Sequence, residues 1–330
     1  MNLGQKTLVT GGAGFIGSAL IHALNESGHS DIVVSDLLGQ DEKWKNLVPL
    51  RYADYLEADD LLMLAEEAPE YFDQFAAIYH LGACSATTEK DASYLIHNNY
   101  EFTKTLASIA IERGIRFVYA SSAATYGDGS TGMDDTLEDL HSLCPLNMYG
   151  YSKHMFDCYA QRMGWLDQIV GLKYFNVFGP NEAHKGDMRS LVAKSYEQIQ
   201  ATGEIGLFKS YHPDYTDGNQ MRDFLYVKDA VAMTLHLGNT PGANGLFNLG
   251  SGQANTWNTL AQAIFTALDM EPNIRYIEMP EQLKGKYQYY TCANTDKLRA
   301  TGYTAEGYSL PEAVKDYVQN YLVAGKRLGQ

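Results

Sequence analysis

Cysteine is scarce in this 330-residue chain: Cys84, Cys144, Cys158 and Cys292 lie far apart, and no two form a C-x-x-C pair. That spacing argues against a disulfide framework or a zinc site, and it predicts reduced thiols in a cytoplasmic setting. Long apolar runs are missing too. No stretch approaches the ~20 residues needed to span a bilayer, so no membrane partner is expected. The first ten residues lack the apolar core of a signal peptide. Basic charge is in deficit, with 25 Lys and Arg against 40 Asp and Glu and a formal net charge of -15. Such a surface repels a phosphate backbone, so nucleic acid is not an expected partner either. Internal repeats and low-complexity tracts are absent.

What is present is ordinary globular composition, 45% hydrophobic and 20% charged, with length for one large domain or two smaller ones. Apolar runs at Lys6–Thr10, Asp31–Ser35, Ala76–Leu81, Arg116–Ala120 and Ile169–Tyr174 read as buried strands. Between them, Ser18–Ser27, Glu101–Glu112 and Tyr151–Met163 read as helices. The alternation predicts βαβ units and a Rossmann-type, doubly wound α/β fold with a parallel sheet covered on both faces. After about Gly179 the pattern turns irregular, punctuated by Pro180, Pro213, Pro241, Pro272 and Pro280. Helices are expected there at Met188–Thr202, Asn258–Leu268 and Leu310–Leu322. The expected division is a dinucleotide-binding domain over residues 1–179 and a smaller substrate lobe over 180–330, with segments free to cross between them.

The first strand runs into Gly11-Gly12-Ala13-Gly14-Phe15-Ile16-Gly17. Glycines at 11, 14 and 17 suit a tight turn, a close backbone approach to a pyrophosphate, and a helix packed against its strand. The helix that follows offers free N–H donors to phosphate. Asp36 ends the second strand, where such a fingerprint wants an acid for the ribose. Tyr149-Gly150-Tyr151-Ser152-Lys153 is a Y-x-x-x-K, and i,i+4 spacing puts both side chains on one helix face. A nearby ammonium lowers a tyrosine pKa toward the working range. Ser121-Ser122 closes a strand at the edge where ligands bind in such sheets, so a serine hydroxyl there can hydrogen-bond a reacting oxygen.

These elements resemble the extended short-chain dehydrogenase/reductase family, whose members are mostly nucleotide-sugar epimerases, dehydratases and reductases. The segment Arg222-Asp223-Phe224-Leu225-Tyr226-Val227-Lys228-Asp229 is similar to that family's R-D-F-x-x-V-x-D. Several further segments resemble its ADP-glyceromanno-heptose 6-epimerase branch. They are Gly82-Ala83-Cys84-Ser85-Ala86-Thr87-Thr88-Glu89, Tyr174-Phe175-Asn176-Val177-Phe178-Gly179-Pro180, His184-Lys185-Gly186 and Leu283-Lys284-Gly285-Lys286-Tyr287-Gln288. The likeness runs from about residue 6 to about residue 300.

The resemblance implies a bound nicotinamide cofactor, NADP by family habit, and epimerisation at C6″ of an ADP-heptose through a transient ketone. It implies Tyr149, Lys153 and Ser122 as one catalytic set and Lys185 as a second acid/base. It assigns Gly11, Gly14, Phe15, Ile16, Gly17, Asp36, Lys43, Leu81, Gly82, Ala83, Cys84, Ser85, Asn98, Lys153 and Val177 to the cofactor. Ser122, Asn176, Asp187, Lys194, Phe208, Arg222 and Tyr287 fall to the substrate, with Arg222 on its diphosphate. It also implies a homo-oligomer, pentameric in the family.

The chain departs from the branch in places. Leu37 stands where Asn usually follows the acid, and Ala58 stands where a lysine is expected. With Asp36 present and fewer cations, NAD becomes the alternative to NADP. Asp187 and Lys194 replace the usual Ser and His, and residues 209–221 form a longer loop. Two other readings stay open. One is a different nucleotide-sugar 4-epimerase or 4,6-dehydratase, although Ala123 and Ala124 stand where a dehydratase carries acids. The other is a catalytically silent NAD-sensing or scaffold protein on the same fold.

Overall fold

The computed structural model describes residues 5–284 and 287–330; Gly285 and Lys286 of the L-K-G-K-Y-Q segment lie outside the described residues. Twelve strands are described: β1 (Lys6–Thr10), β2 (Ile32–Asp36), β3 (Asp54–Glu57), β4 (Phe75–His80), β5 (Arg116–Ser122), β6 (Val170–Tyr174), β7 (Asn176–Phe178), β8 (Ile205–Phe208), β9 (Met221–Tyr226), β10 (Gly245–Leu249), β11 (Ala254–Thr256) and β12 (Ile274–Ile277). Seven form one parallel sheet in the order β3-β2-β1-β4-β5-β6-β10. The chain works outward from β1 to β3, then returns to β4 on the other side. The order therefore reverses between β1 and β4, which leaves a crevice at the carboxyl ends of those strands.

All five residues of β2 and all five of β6 are buried, as expected of strands covered on both faces. One is Lys173, 1% exposed in the middle of a run read as apolar. The helix Phe15–Glu26 buries most of its circumference because it is wedged between the sheet and the helix Val227–Asn239. That second helix and β10 come from the C-terminal half, so this half completes the central sheet. The remaining strands form a small β11-β9-β7 sheet and a β12-β8 pair.

The expected elements are present with shifted ends. The first helix begins at Phe15 rather than Ser18, so its opening turn is part of the glycine-rich segment. The third begins at Met148, capped by the Asn147 side chain accepting from the Gly150 N–H at 2.9 Å. Tyr149 and Lys153 thus sit in its first two turns. The helix expected over 188–202 starts at Leu191, behind the Ser190 cap. Upstream of the helix Phe102–Arg113 the chain is already helical, and Ile96–Glu101 widens to a π-helical turn. None of the described helices is long and apolar enough to cross a membrane.

Because β10 is hydrogen-bonded to β6, the two halves should unfold together. Phe247→Ala in β10 removes a side chain that is 2% exposed and should cost roughly 3–5 kcal/mol. Urea unfolding followed by far-UV circular dichroism and by tryptophan fluorescence should show one coincident, shifted transition; two transitions would mean separable halves.

Candidate active site

The crevice holds a cavity of about 550 Å³. Its floor is the turn after β1. A Cβ on Gly17 would lie 2.1 Å from the Gly11 carbonyl oxygen, and a Cβ on Gly11, at φ +67°, would lie 2.6 Å from the Gly82 backbone. Glycine is required at both places. The helix Phe15–Glu26 has Gly14 as its N-cap and no side-chain cap, so its first N–H groups are left for a ligand. Gly11, Gly14, Phe15, Ile16 and Gly17 all line the cavity. This cradle fits a dinucleotide pyrophosphate.

At the rim, Asp36 is held by three donors. Its Oδ2 accepts the Ala13 N–H at 2.9 Å, while Oδ1 accepts the Leu37 N–H and the Lys43 ammonium at 2.8 Å each. The expected ribose-reading acid therefore carries a cation beside it. Leu81, Gly82, Ala83, Cys84 and Ser85 form the next stretch of wall, and Val177 lies beyond them.

Beneath that wall runs a buried chain of hydrogen bonds. The Thr103 hydroxyl donates to the Asn99 carbonyl at 2.7 Å, so it accepts from His80 Nε2 at 2.9 Å. His80 Nδ1 then accepts from the Thr10 hydroxyl at 2.7 Å, and Thr10 accepts the Gly82 N–H at 3.2 Å. Burial pulls the His80 pKa down to about 3, so the ring is neutral, and these hydrogen bonds set its tautomer and tie the two loops flanking the crevice.

Asn98, expected at the cofactor, is not among the residues lining the cavity; its amide donates to the Tyr94 carbonyl at 2.8 Å. The π-helical turn brings Asn99 inward instead. Its side chain accepts the Cys84 N–H and donates to the Cys84 carbonyl, both at 2.9 Å, and also reaches Ser152 Oγ at 3.0 Å. Adjacent asparagines gave the sequence no means of choosing between them.

The residues expected to react or to hold substrate, Ser122, Tyr149, Lys153, Asn176 and Lys185, all line the same cavity. Burial raises the Tyr149 pKa above that of an ordinary phenol, and the hydrogen-bonded Ser122 side chain pulls it partly back. Desolvation dominates, so the pKa moves opposite to the lowering expected from the Lys153 ammonium. Burial lowers Lys153 to about 8, opposed mainly by Asp157 one turn along the helix. Lys185 sits on a short 3₁₀ segment, Ala183–Met188, with its ammonium 5.3 Å from the centre of the Phe15 ring. Burial lowers its pKa as well, against the attraction of Glu182. His184 beside it is pulled down to about 4 by burial. Sequence reading missed Asp41, His184 and Met188 as cavity residues.

The substrate assignments scatter. Asn176 donates to the Asp223 carbonyl at 3.2 Å, which links β7 to β9. Arg222 is 6% exposed and does not line the cavity. Its guanidinium lies 5.0 Å from the Tyr287 ring and 5.9 Å from the Trp257 ring, and donates to the Met221 and Gln288 carbonyls. Trp257 in turn donates to the Tyr287 hydroxyl at 2.8 Å. Phe208 is half-buried at the end of β8, and Asp187 and Lys194 are exposed; none of the three lines the cavity.

Comparison with known proteins agrees with this geometry. Residues 7–250 match the NAD dependent epimerase/dehydratase family. The chain is 54% identical over 319 residues to an ADP-L-glycero-D-manno-heptose-6-epimerase of Nitratidesulfovibrio vulgaris (strain DP4), covering 96% of this chain and 98% of that protein. The crystal structure of the Helicobacter pylori enzyme of the same name superposes with a TM-score of 0.78 at 27% identity, covering 96% of both chains. The UDP-glucuronic acid 4-epimerase of Bacillus cereus, in complex with its substrate and NAD, shares the fold at a TM-score of 0.78 and 22% identity, covering 97% of this chain and 100% of that one.

Lys153 has a consequence for stability. The folded chain releases this proton near 8, whereas an unfolded lysine holds it to about 10.5. Between those values the unfolded state binds the extra proton, so unfolding becomes costlier as pH rises. Relative to Lys153→Met, the wild type should gain on the order of 2 kcal/mol between pH 7.5 and 10 in urea melts. A constant difference across that window would mean that Lys153 is not desolvated.

Proposed function

The chain belongs to the NAD dependent epimerase/dehydratase family, and on that premise we propose that it inverts C6″ of ADP-D-glycero-D-manno-heptose to give ADP-L-glycero-D-manno-heptose, a precursor of the lipopolysaccharide inner core. The observation that carries this reading is the meeting of two proton-carrying groups from unrelated segments, Tyr149 and Lys185, in one cavity with a dinucleotide cradle. Gly11, Gly14, Phe15, Ile16 and Gly17 hold the pyrophosphate, and Asp36 with Lys43 faces the adenosine ribose. The bound nicotinamide supplies the hydride acceptor at C6″ and, in the return direction, the donor.

The chain's own residues manage the proton. Tyr149, aimed by Ser122 and supported by the Lys153 charge, removes the O6″ proton as C6″ becomes a ketone carbon. The ketone turns within the cavity, and Lys185 protonates its oxygen as the opposite face is reduced. Two acid/bases are needed because one fixed phenol serves a single pose of the sugar. Ala123 and Ala124 after Ser122 supply no acid for a dehydration, so the ketone is returned to an alcohol. Arg222 and Tyr287 belong to the diphosphate and nucleotide end of the substrate, with Asn176 nearer the sugar. The same reading carries a cytoplasmic, homo-oligomeric enzyme.

Incubation with ADP-D-glycero-D-manno-heptose, followed by NMR of the C6″ configuration, tests the reaction. Tyr149→Phe and Lys185→Met should each slow epimerisation by roughly 10²–10⁴ with cofactor binding and circular dichroism unchanged. Near-normal turnover by Lys185→Met would leave a one-base scheme on Tyr149.

For the finer cofactor identity we propose NADP. The Lys43 ammonium cancels the Asp36 carboxylate that would otherwise repel a 2′-phosphate. Asp36→Ala should strengthen the preference for NADP and Lys43→Met should reverse it toward NAD, read as the ratio of the two dissociation constants. Unchanged ratios would remove the pair from cofactor choice.

A further inference from the structure

Directly behind the reacting groups lies a charged pair that the mechanism above does not use. Lys173 of β6 and Asp157 of the helix Met148–Arg162 form an ion pair at 2.9 Å, 1% and 0% exposed. Burying such a pair brings little net stability, since well-packed apolar side chains often serve as well or better. Its presence in a strand otherwise fit for apolar residues therefore calls for another reason.

The hydrogen bonds supply one. Asp157 accepts from the Tyr119 hydroxyl at 2.8 Å and the Ser121 hydroxyl at 2.7 Å, both on β5. Lys173 donates to Thr125 Oγ1 at 2.6 Å, and Thr125 donates on to the Ser122 carbonyl at 2.8 Å. Ser122 is thus fixed through the residue before it and through its own carbonyl. The same carboxylate lies four residues after Lys153, on one helix face.

We propose that Asp157 and Lys173 are positioning residues for this reaction: together they fix the backbone that aims the Ser122 hydroxyl, and Asp157 holds the positive charge on Lys153. The inference rests on Ser122, Tyr149 and Lys153 being the reacting set. Other ionisable groups surround Lys153 and Asp157: Tyr149, His154 and Cys158 on their own helix, Tyr119 on β5, Tyr126 beyond it, and His80 and Cys84 near the end of β4. Burial lowers both histidines and raises all three tyrosines and Cys158. Asp157 is the main group holding the Lys153 charge against desolvation.

The test is a stability cycle that needs no turnover, joined to a kinetic one. In wild type, the stability gain relative to Lys153→Met sets in near pH 8, the Lys153 value. In an Asp157→Asn background, which keeps the shape and one of the two acceptor oxygens that Tyr119 and Ser121 share, that onset should fall by roughly one pH unit. The alkaline limb of kcat should fall with it. Lys173→Met should lower kcat roughly 10- to 100-fold through the lost Thr125 bond, without moving the onset downward. Either single variant strands a buried charge and can unfold. The double variant Asp157→Asn/Lys173→Met strands none, and it should show the lowered onset and the lowered kcat together. A folded double variant with the wild-type onset and alkaline limb would overturn the proposal and leave the pair merely structural. If no ADP-heptose is turned over by the wild type, the proposed reaction fails, while the stability cycle still reads the Asp157–Lys153 coupling.

Discussion

The chemistry of this chain depends on a place where backbone must touch backbone. The turn after β1 packs against Gly82 and against the start of the helix Phe15–Glu26 with no room for a Cβ at Gly11 or Gly17. That contact sets the helix N-terminus at the mouth of the crevice and brings the β4 loop across from it. The residues proposed to bear on the reaction are then gathered around this crevice from neighbouring elements. Ser122 ends β5, Tyr149 and Lys153 enter on the helix leading to β6, and Asn176 opens β7. A side chain at Gly17 would displace the helix, and with it Phe15, against which Lys185 rests.

The second constraint is electrostatic. The protein has a formal net charge of -15, yet cations gather around the crevice: Lys153 and Lys173 are buried, Lys185 is half-buried and, in the adjoining lobe, Arg222 is buried. Each is held differently. Lys173 has a full ion pair, Arg222 has two aromatic faces and two carbonyls, and Lys185 has one aromatic face with Glu182 at a distance. Lys153 is 3% exposed, and burial outweighs the attraction of Asp157, drawing its pKa down to about 8.

Much of this was legible in the sequence because the requirement was local. A glycine that must lack a Cβ, an acid at the end of β2, and a Tyr and Lys four apart are patterns within a single element. What stayed hidden was set by tertiary contact. The choice of Asn99 over Asn98 depends on one widened helical turn that no apolar period announces. β10 was not singled out as a strand of the main sheet, because Gly245–Leu249 lies among irregular segments far from its partner β6. Arg222 reads as a phosphate-binding residue in the sequence, but nothing there announces that Trp257 and Tyr287 arrive from distant segments to flank its guanidinium. Lys173 passed as one residue of an apolar strand because its partner Asp157 sits on a helix.

The two proposed acid/bases differ in how they are held, and the difference suits an inversion. Tyr149 stands on a 15-residue helix whose base is pinned by Asp157 to two strands. Lys185 stands on a six-residue segment containing Gly186 at φ +52°. That segment is tied down at a few points. The Glu182 carbonyl accepts the Lys185 N–H, and Asn46 bridges the Ala13 carbonyl of the glycine loop to the Asn181 carbonyl. Asn181 itself reaches Ser18 Oγ at 3.0 Å. A ketone that must turn between two acid/bases needs one fixed reference against which its first pose is defined. It also needs a second group placed relative to the cofactor loop, since the returned hydride comes from there. Tyr149 is referenced to the sheet and Lys185 to the glycine loop, so the proposed inversion follows from anchoring its two protons to different parts of one fold.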